Sequence, residues 1–221
     1  GVKRVAETRL FRFRNRQERP PSGAEGLLVS NANSALEESA NMSLIVLCHQ
    51  LSFENGIKSD SHRPILRTML AAWILRKDAV PAHDLMMLAL QHKISQSLPR
   101  ARVLTKKPAE VDKFDLRAGI LCLAKFGGID DIPRLEAIMG DKRVLSRYRN
   151  NNLAYTVEVR DLALAALLKL TEKEPSAVGY RRLRFQAPFV FDDYSLGFAQ
   201  DEDRQVAIAK WRLYRMRQGG G

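Results

Sequence analysis

Cysteine is scarce: two in 221 residues, Cys48 and Cys122, far apart and without metal-type spacing. That excludes a disulfide scaffold and fits a reducing, cytoplasmic setting. Long apolar runs are missing too. The longest, "LIVLC" at 44–48, is far too short to span a bilayer. Histidine occurs four times. His83 and His92 stand nine apart, on opposite faces of one helix, and so cannot share a metal from it. HExxH, GxSxG, the P-loop and GxGxxG are all absent, so the chain is expected to be no enzyme and to hold no metal or cofactor. Asp192-Asp193 reads as a turn or an arginine contact rather than a catalytic pair, and Cys122, set among Ile120, Leu121 and Leu123, as a buried thiol. The chain opens on Gly1 rather than Met, so a missing leader or a larger parent chain is expected.

What the chain does have is apolar residues at 45% and a formal charge of +11. The first 21 residues hold seven Lys/Arg against Glu7 and Glu18, so about half of the excess charge sits in a short leader. Within it, "RLFRFRNR" alternates Phe11 and Phe13 with Arg12, Arg14 and Arg16. On an extended chain this puts aromatics on one side and guanidinium groups on the other. Residues 1–30 are therefore expected to form an extended basic arm that can add a strand to a partner or lie along RNA.

From Ser34 the pattern turns helical. Leu36, Ala40, Leu44, Leu47 and Leu51 recur at threes and fours, with Gly56 expected to close the helix. Paired helical segments follow at 63–77 and 82–98, then at 112–126 and 130–140, and another begins at 157–171. Asp130 and Asp131, with Pro133 just inside, mark a helix start. The first helices superpose on Arg67, Arg117 and Arg160, at offsets of 50 and 43 residues, near the period of two-helix repeats. Such a unit covers only one of its own faces, so about three must stack.

The stretches "DLRAGILCLAKFGGIDDIPRLEAIM" and "EVRDLALAALLKL" resemble the HEAT/armadillo-like family of helical repeats. They share a charged pair leading an Ala/Leu-rich helix, a Gly-containing turn, then Asp-x-Pro-x-Leu. The resemblance covers roughly 63–178. It implies an all-α solenoid of stacked helical hairpins over 31–178, without substantial sheet, that presents an extended surface to partners. Residues 179–221 are expected to cap it, with an aromatic-rich irregular stretch and a final helix from about Asp201. Ile208, Trp211 and Tyr214 form that helix's buried stripe, and Arg204, Lys210, Arg212, Arg215 and Arg217 keep its outside soluble.

Two basic segments connect the expected units. Residues 99–111 carry Arg100, Arg102, Lys106 and Lys107; residues 142–156 carry Lys142, Arg143, Arg147 and Arg149. In a regular solenoid both emerge along one edge, where inter-repeat insertions commonly bind. Tyr148, between two arginines, is placed to stack a base. The expected role is a non-catalytic scaffold docking an acidic protein surface, as part of a larger assembly. The alternative is nucleic-acid binding through the same loops and arm.

Overall fold

A computed structural model of the chain describes residues 45–60, 62–76 and 82–219, without the side chains of 51, 52 and 219. The expected arm, with Phe11, Arg12, Phe13, Arg14 and Arg16, and most of the helix expected from Ser34 lie outside the described residues. The fold is mostly helical, all-α at a coarse level, with only short strands among the described residues. It divides into two compact units between Ser97 and Leu98.

The first unit holds α1 (Leu51–Lys58), α2 (Arg63–Ile74), α3 (Ala82–Gln91) and a 3-10 turn at Ser95–Ser97. Apolar residues at helical spacing turn Leu66, Leu70, Trp73 and Ile74 of α2 inward, where they join Phe53, Leu85, Leu88 and Ile94 in the core. Gly56 does not close a helix. It lies inside α1 where α2 comes close, and a Cβ there would sit 2.9 Å from Leu66 Cδ1. The end of α3 is made by Arg67, which donates from Nη1 to the His92 carbonyl and from Nη2 to that of Lys93. Lys93 is left-handed, at φ 55°. Terminal carbonyls without helical partners need such donors.

The second unit holds α4 (Leu98–Leu104), α5 (Lys113–Phe126), α6 (Ile132–Ile138), strands β1 (Val144–Asn150) and β2 (Leu153–Glu158), and α7 (Val159–Leu170). The short strands β3 (Phe185–Gln186) and β4 (Val190–Phe191) and the long α8 (Asp201–Gly219) complete it. Helix α5 starts on Asp112, whose side chain accepts from the Phe114 N–H, and packs on α4. Helix α7 packs on both α5 and α6. This central position explains its composition: every residue from Val159 to Leu168 is buried. Cys122 is buried in α5.

Between α5 and α6 the chain turns at Gly127, where a Cβ would meet the Leu123 carbonyl oxygen at 2.5 Å and Asp131 Oδ2 at 2.8 Å. Asp131 Oδ2 accepts from the Gly128 N–H at 3.2 Å, and Pro133 stands in the first turn of α6.

Two expectations about the connections need correcting. Residues 99–111 are not a loop, since α4 runs through Leu104 and a 3-10 turn covers Pro108–Glu110. Residues 142–156 are mostly an antiparallel β-hairpin. Asn151 and Asn152 take φ of 47° and 64°, the left-handed pair that a tight two-residue hairpin turn needs. The alternation of "LSRYRN" and "LAYTVE" suits a ribbon with unlike faces.

The strand–helix junction is built on buried charge. Asp161 accepts from the Glu158 N–H at 2.8 Å and from Arg204 Nε at 2.7 Å, with its side chain 0% exposed. Arg204 also reaches Asp201 at 2.5 Å and the Thr156 carbonyl at 3.0 Å. It was expected on the soluble side of the last helix; instead it is buried with Ala207, Ile208 and Trp211. Arg215 is likewise engaged, its Nε 2.8 Å from Glu136 Oε1, which also accepts from Trp211 Nε1 at 3.1 Å.

Two substitutions test this packing. Trp211 is 1% exposed, and truncating such a side chain typically costs ~3–5 kcal/mol, so Trp211→Ala should lower the melting temperature markedly. Arg204→Ala strands Asp161 as an uncompensated buried carboxylate, a loss of about 3–5 kcal/mol. Chemical denaturation of both variants checks these losses. A Trp211→Ala variant that melts like the parent would make the indole surface rather than core.

Candidate interaction surface: the β1–β2 hairpin and its base

Hairpin register pairs Tyr148 with Tyr155, Arg147 with Thr156 and Arg149 with Ala154. Because side chains alternate, Tyr148, Tyr155 and Val157 share one face, and Arg147, Arg149, Ala154 and Thr156 the other. On the first face the two tyrosines stack at 5.3 Å with a 10° interplanar angle, and Arg182 lies 4.0 Å from the Tyr155 ring centroid. Tyr194 meets Tyr148 edge-on at 5.7 Å. The Tyr148 hydroxyl donates to the Leu196 carbonyl at 2.6 Å and accepts from Arg182 at 3.3 Å. Burial pushes its pKa above the ordinary tyrosine value, against the opposing Arg182. Tyr148 therefore serves the hairpin's inner packing and is not presented for stacking a base.

The hairpin's base is stapled by Arg143. Its guanidinium holds Asp141 from Nε and Nη2, and donates to the Val111 carbonyl at 2.6 Å and the Pro108 carbonyl at 2.8 Å. Lys113 Nζ reaches the Val144 carbonyl at 2.8 Å. At the far edge Thr156 and Phe198 exchange backbone hydrogen bonds of 3.1 and 3.2 Å. The 108–111 segment and the hairpin base thus lie side by side, and Arg143 joins them rather than facing a partner.

The other expected binding cations divide similarly. Arg102 grips Asp131 through two bonds, Nε to Oδ1 at 2.8 Å and Nη2 to Oδ2 at 3.0 Å. Lys107 pairs with Glu110 at 2.9 Å in solvent, where such a pair contributes little. Arg100 is half-buried on α4. Lys106, Lys142, Arg147 and Arg149 are exposed. Of the arginines after α7, Arg182 joins the tyrosine cluster and Arg184 pairs with Asp192. Asp193 receives Arg117 at 2.8 Å, so both members of the acid pair hold arginines. His92 sits edge-on to Phe53 at 5.9 Å, its pKa lowered first by burial. Among the described residues no group of His, Cys, Asp and Glu is arranged to hold a metal ion, and no helix is long and apolar enough to cross a membrane.

One surface was missed. Along α8, Val206, Leu213 and Met216 are 51%, 54% and 70% exposed, and Ala209 is exposed between them. Its signal lies in "VAIAKWRLYRM", where a Val206–Ala209–Leu213–Met216 stripe interleaves with the Ile208–Trp211–Tyr214 one.

No protein-family model, no curated protein and no solved structure matches this chain.

The Arg102–Asp131 pair carries a pH dependence. Burial alone would raise the Asp131 pKa, but the Arg102 hydrogen bonds, the Gly128 N–H and the charges of Arg102 and Arg134 outweigh it and hold the carboxyl below its ordinary value. A folded-state pKa below the unfolded one gives stability that is present above pH ~4 and lost as pH falls through the folded value. Melting curves between neutral pH and strong acid should show the parent losing stability in that acid window. Asp131→Asn should be less stable at neutral pH and flatter in acid. Equal acid slopes for the two would refute the assignment.

Proposed function

We propose that the chain is a non-catalytic protein-interaction module, a HEAT-like stack of helical hairpins that docks an acidic protein surface within a larger assembly. The observation that carries this reading is the outer face of the hairpin. Arg147 and Arg149 are exposed there beside the exposed Ala154, while Leu153, 52% exposed, lies at the hairpin tip on the opposite face. The frame beneath them is held by Arg143, Lys113 and the tyrosine cluster. Exposed arginine on a rigid support is among the groups that anchor protein-binding hot spots. Among the described residues Arg102, Arg143, Arg182 and Arg184 are engaged within the fold rather than held out toward a phosphate backbone.

Packing of α7 against both α5 and α6 supports the stacked-hairpin part of the proposal, and burial of Ile208 and Trp211 supports α8 as its cap.

Nucleic-acid binding is the second reading, favoured by one feature. A two-stranded ribbon fits the DNA major groove, and this one carries Arg147, Arg149 and Asn150–Asn152, the residue types that read guanine and adenine edges.

The discriminating experiment is affinity capture on the full chain before and after nuclease, with Arg147→Glu/Arg149→Glu as the second bait. Protein partners that survive nuclease and fall at least tenfold with the double variant are expected. Loss of every partner on nuclease, with log K falling against log salt by about 0.9 per duplex phosphate contact, would replace this reading with the nucleic-acid one.

A further inference from the structure

Helix α8 has two apolar faces, and only one is used within the chain. Arg204, Ala207, Ile208 and Trp211 face inward, and Tyr214 and Arg215 are half-buried on the same side. Val206, Ala209, Leu213 and Met216 recur at three, four and three residues, which at 3.6 residues per turn confines them to an arc of roughly 80° on the opposite side. That is the spacing of a coiled-coil seam rather than of a broad apolar face. From Val206 to Arg217 the flanks are basic, with Lys210 and Arg217 along one side of the seam and Arg212 along the other, all exposed; Glu202 and Asp203 precede them in the first turn.

We infer that this seam docks one amphipathic helix of a partner protein, apolar at seam spacing and acidic along both flanks. The inference rests on the protein-interaction reading and names a second surface for it. Flanking charges set partner choice in paired helices, and here they argue against a second copy. An antiparallel pair centred on Trp211 opposes Val206 to Met216 and Ala209 to Leu213 and sets Asp203 toward Arg217, but at its centre it brings Lys210 and Arg212 against the same cations of the other copy. A parallel pair sets Arg212 against Arg217. Width argues against a bilayer, because interfacial helices carry a large apolar face with Trp, Phe or Leu, and this seam is narrow and offers only Leu213 of those types.

The test uses the full chain and a designed helical peptide with Leu at seam positions and Glu on both flanks. A second peptide carries Lys on its flanks instead. Binding is read by fluorescence anisotropy at moderate salt. The acidic peptide should bind at least tenfold more tightly than the basic one. Leu213→Glu and Met216→Glu should each weaken it at least tenfold while the circular dichroism spectrum is unchanged, both positions being exposed. Lys210→Glu/Arg217→Glu should invert the preference. No binding of the acidic peptide, or binding indifferent to both seam variants, overturns the inference. So does sedimentation showing a dimer, or binding to anionic vesicles, that Leu213→Glu abolishes. The hairpin double variant separates this failure from that of the broader reading. If hairpin-dependent capture survives nuclease while the peptide fails, only the α8 seam falls. If capture is lost to nuclease, the interaction reading itself falls.

Discussion

The second unit depends on a single guanidinium. Arg204 touches the Asp161 carboxylate at the start of α7, the Asp201 carboxylate at the start of its own helix and the Thr156 carbonyl in β2. Arg160 supports the cluster through Glu158 at 2.5 Å and Asp201 at 2.7 Å. A buried charge is tolerated only when its partners replace the water it gave up. The cost is still visible: burial pushes the Asp161 carboxyl up to about 6 despite the Arg204 hydrogen bond. What the arrangement supplies is position. The hairpin, the core helix and the terminal helix meet at one point, and none can shift without uncovering a charge.

Both candidate surfaces hang from that point. The hairpin leaves the junction through β2 and is braced at its other strand by Arg143 and Lys113. Helix α8 leaves it through Asp201 and is fixed further along by Trp211 and Arg215 on Glu136. With their inner sides held, Arg147, Arg149 and the Val206–Met216 seam face solvent on supports that lose little conformational freedom on binding, which is the main obstacle a loop must overcome.

Most of the helices of the second unit were legible because their signals are local. Asp112 caps α5, Gly127 and Asp131 make the turn to α6, and Pro133 stands in its first turn. The apolar composition of α7 announced a helix covered on all sides, and the 208–211 stripe announced the buried face of α8. The hairpin was less legible because Asn-Asn is a weaker turn signal than Asn-Gly and its cations suggested a solvated loop. Gly56, read as a stop, proved to be a crossing point, since a glycine inside a helix and one at its end look alike in one dimension.

The sequence alone determined the helical class, the positions of α5, α6, α7 and α8 and the buried stripe of α8, because period, caps and breakers act within a few residues. It could not decide what each charge does. Arg102, Arg143 and Arg204 look the same on paper as Arg147 and Arg149. The first three find carboxylates or carbonyls 29, 32 and 43 residues away along the chain; the last two remain exposed. A cation becomes a strut or a binding group according to which acceptors the fold brings within about 3 Å, and that distance exists only in the tertiary structure.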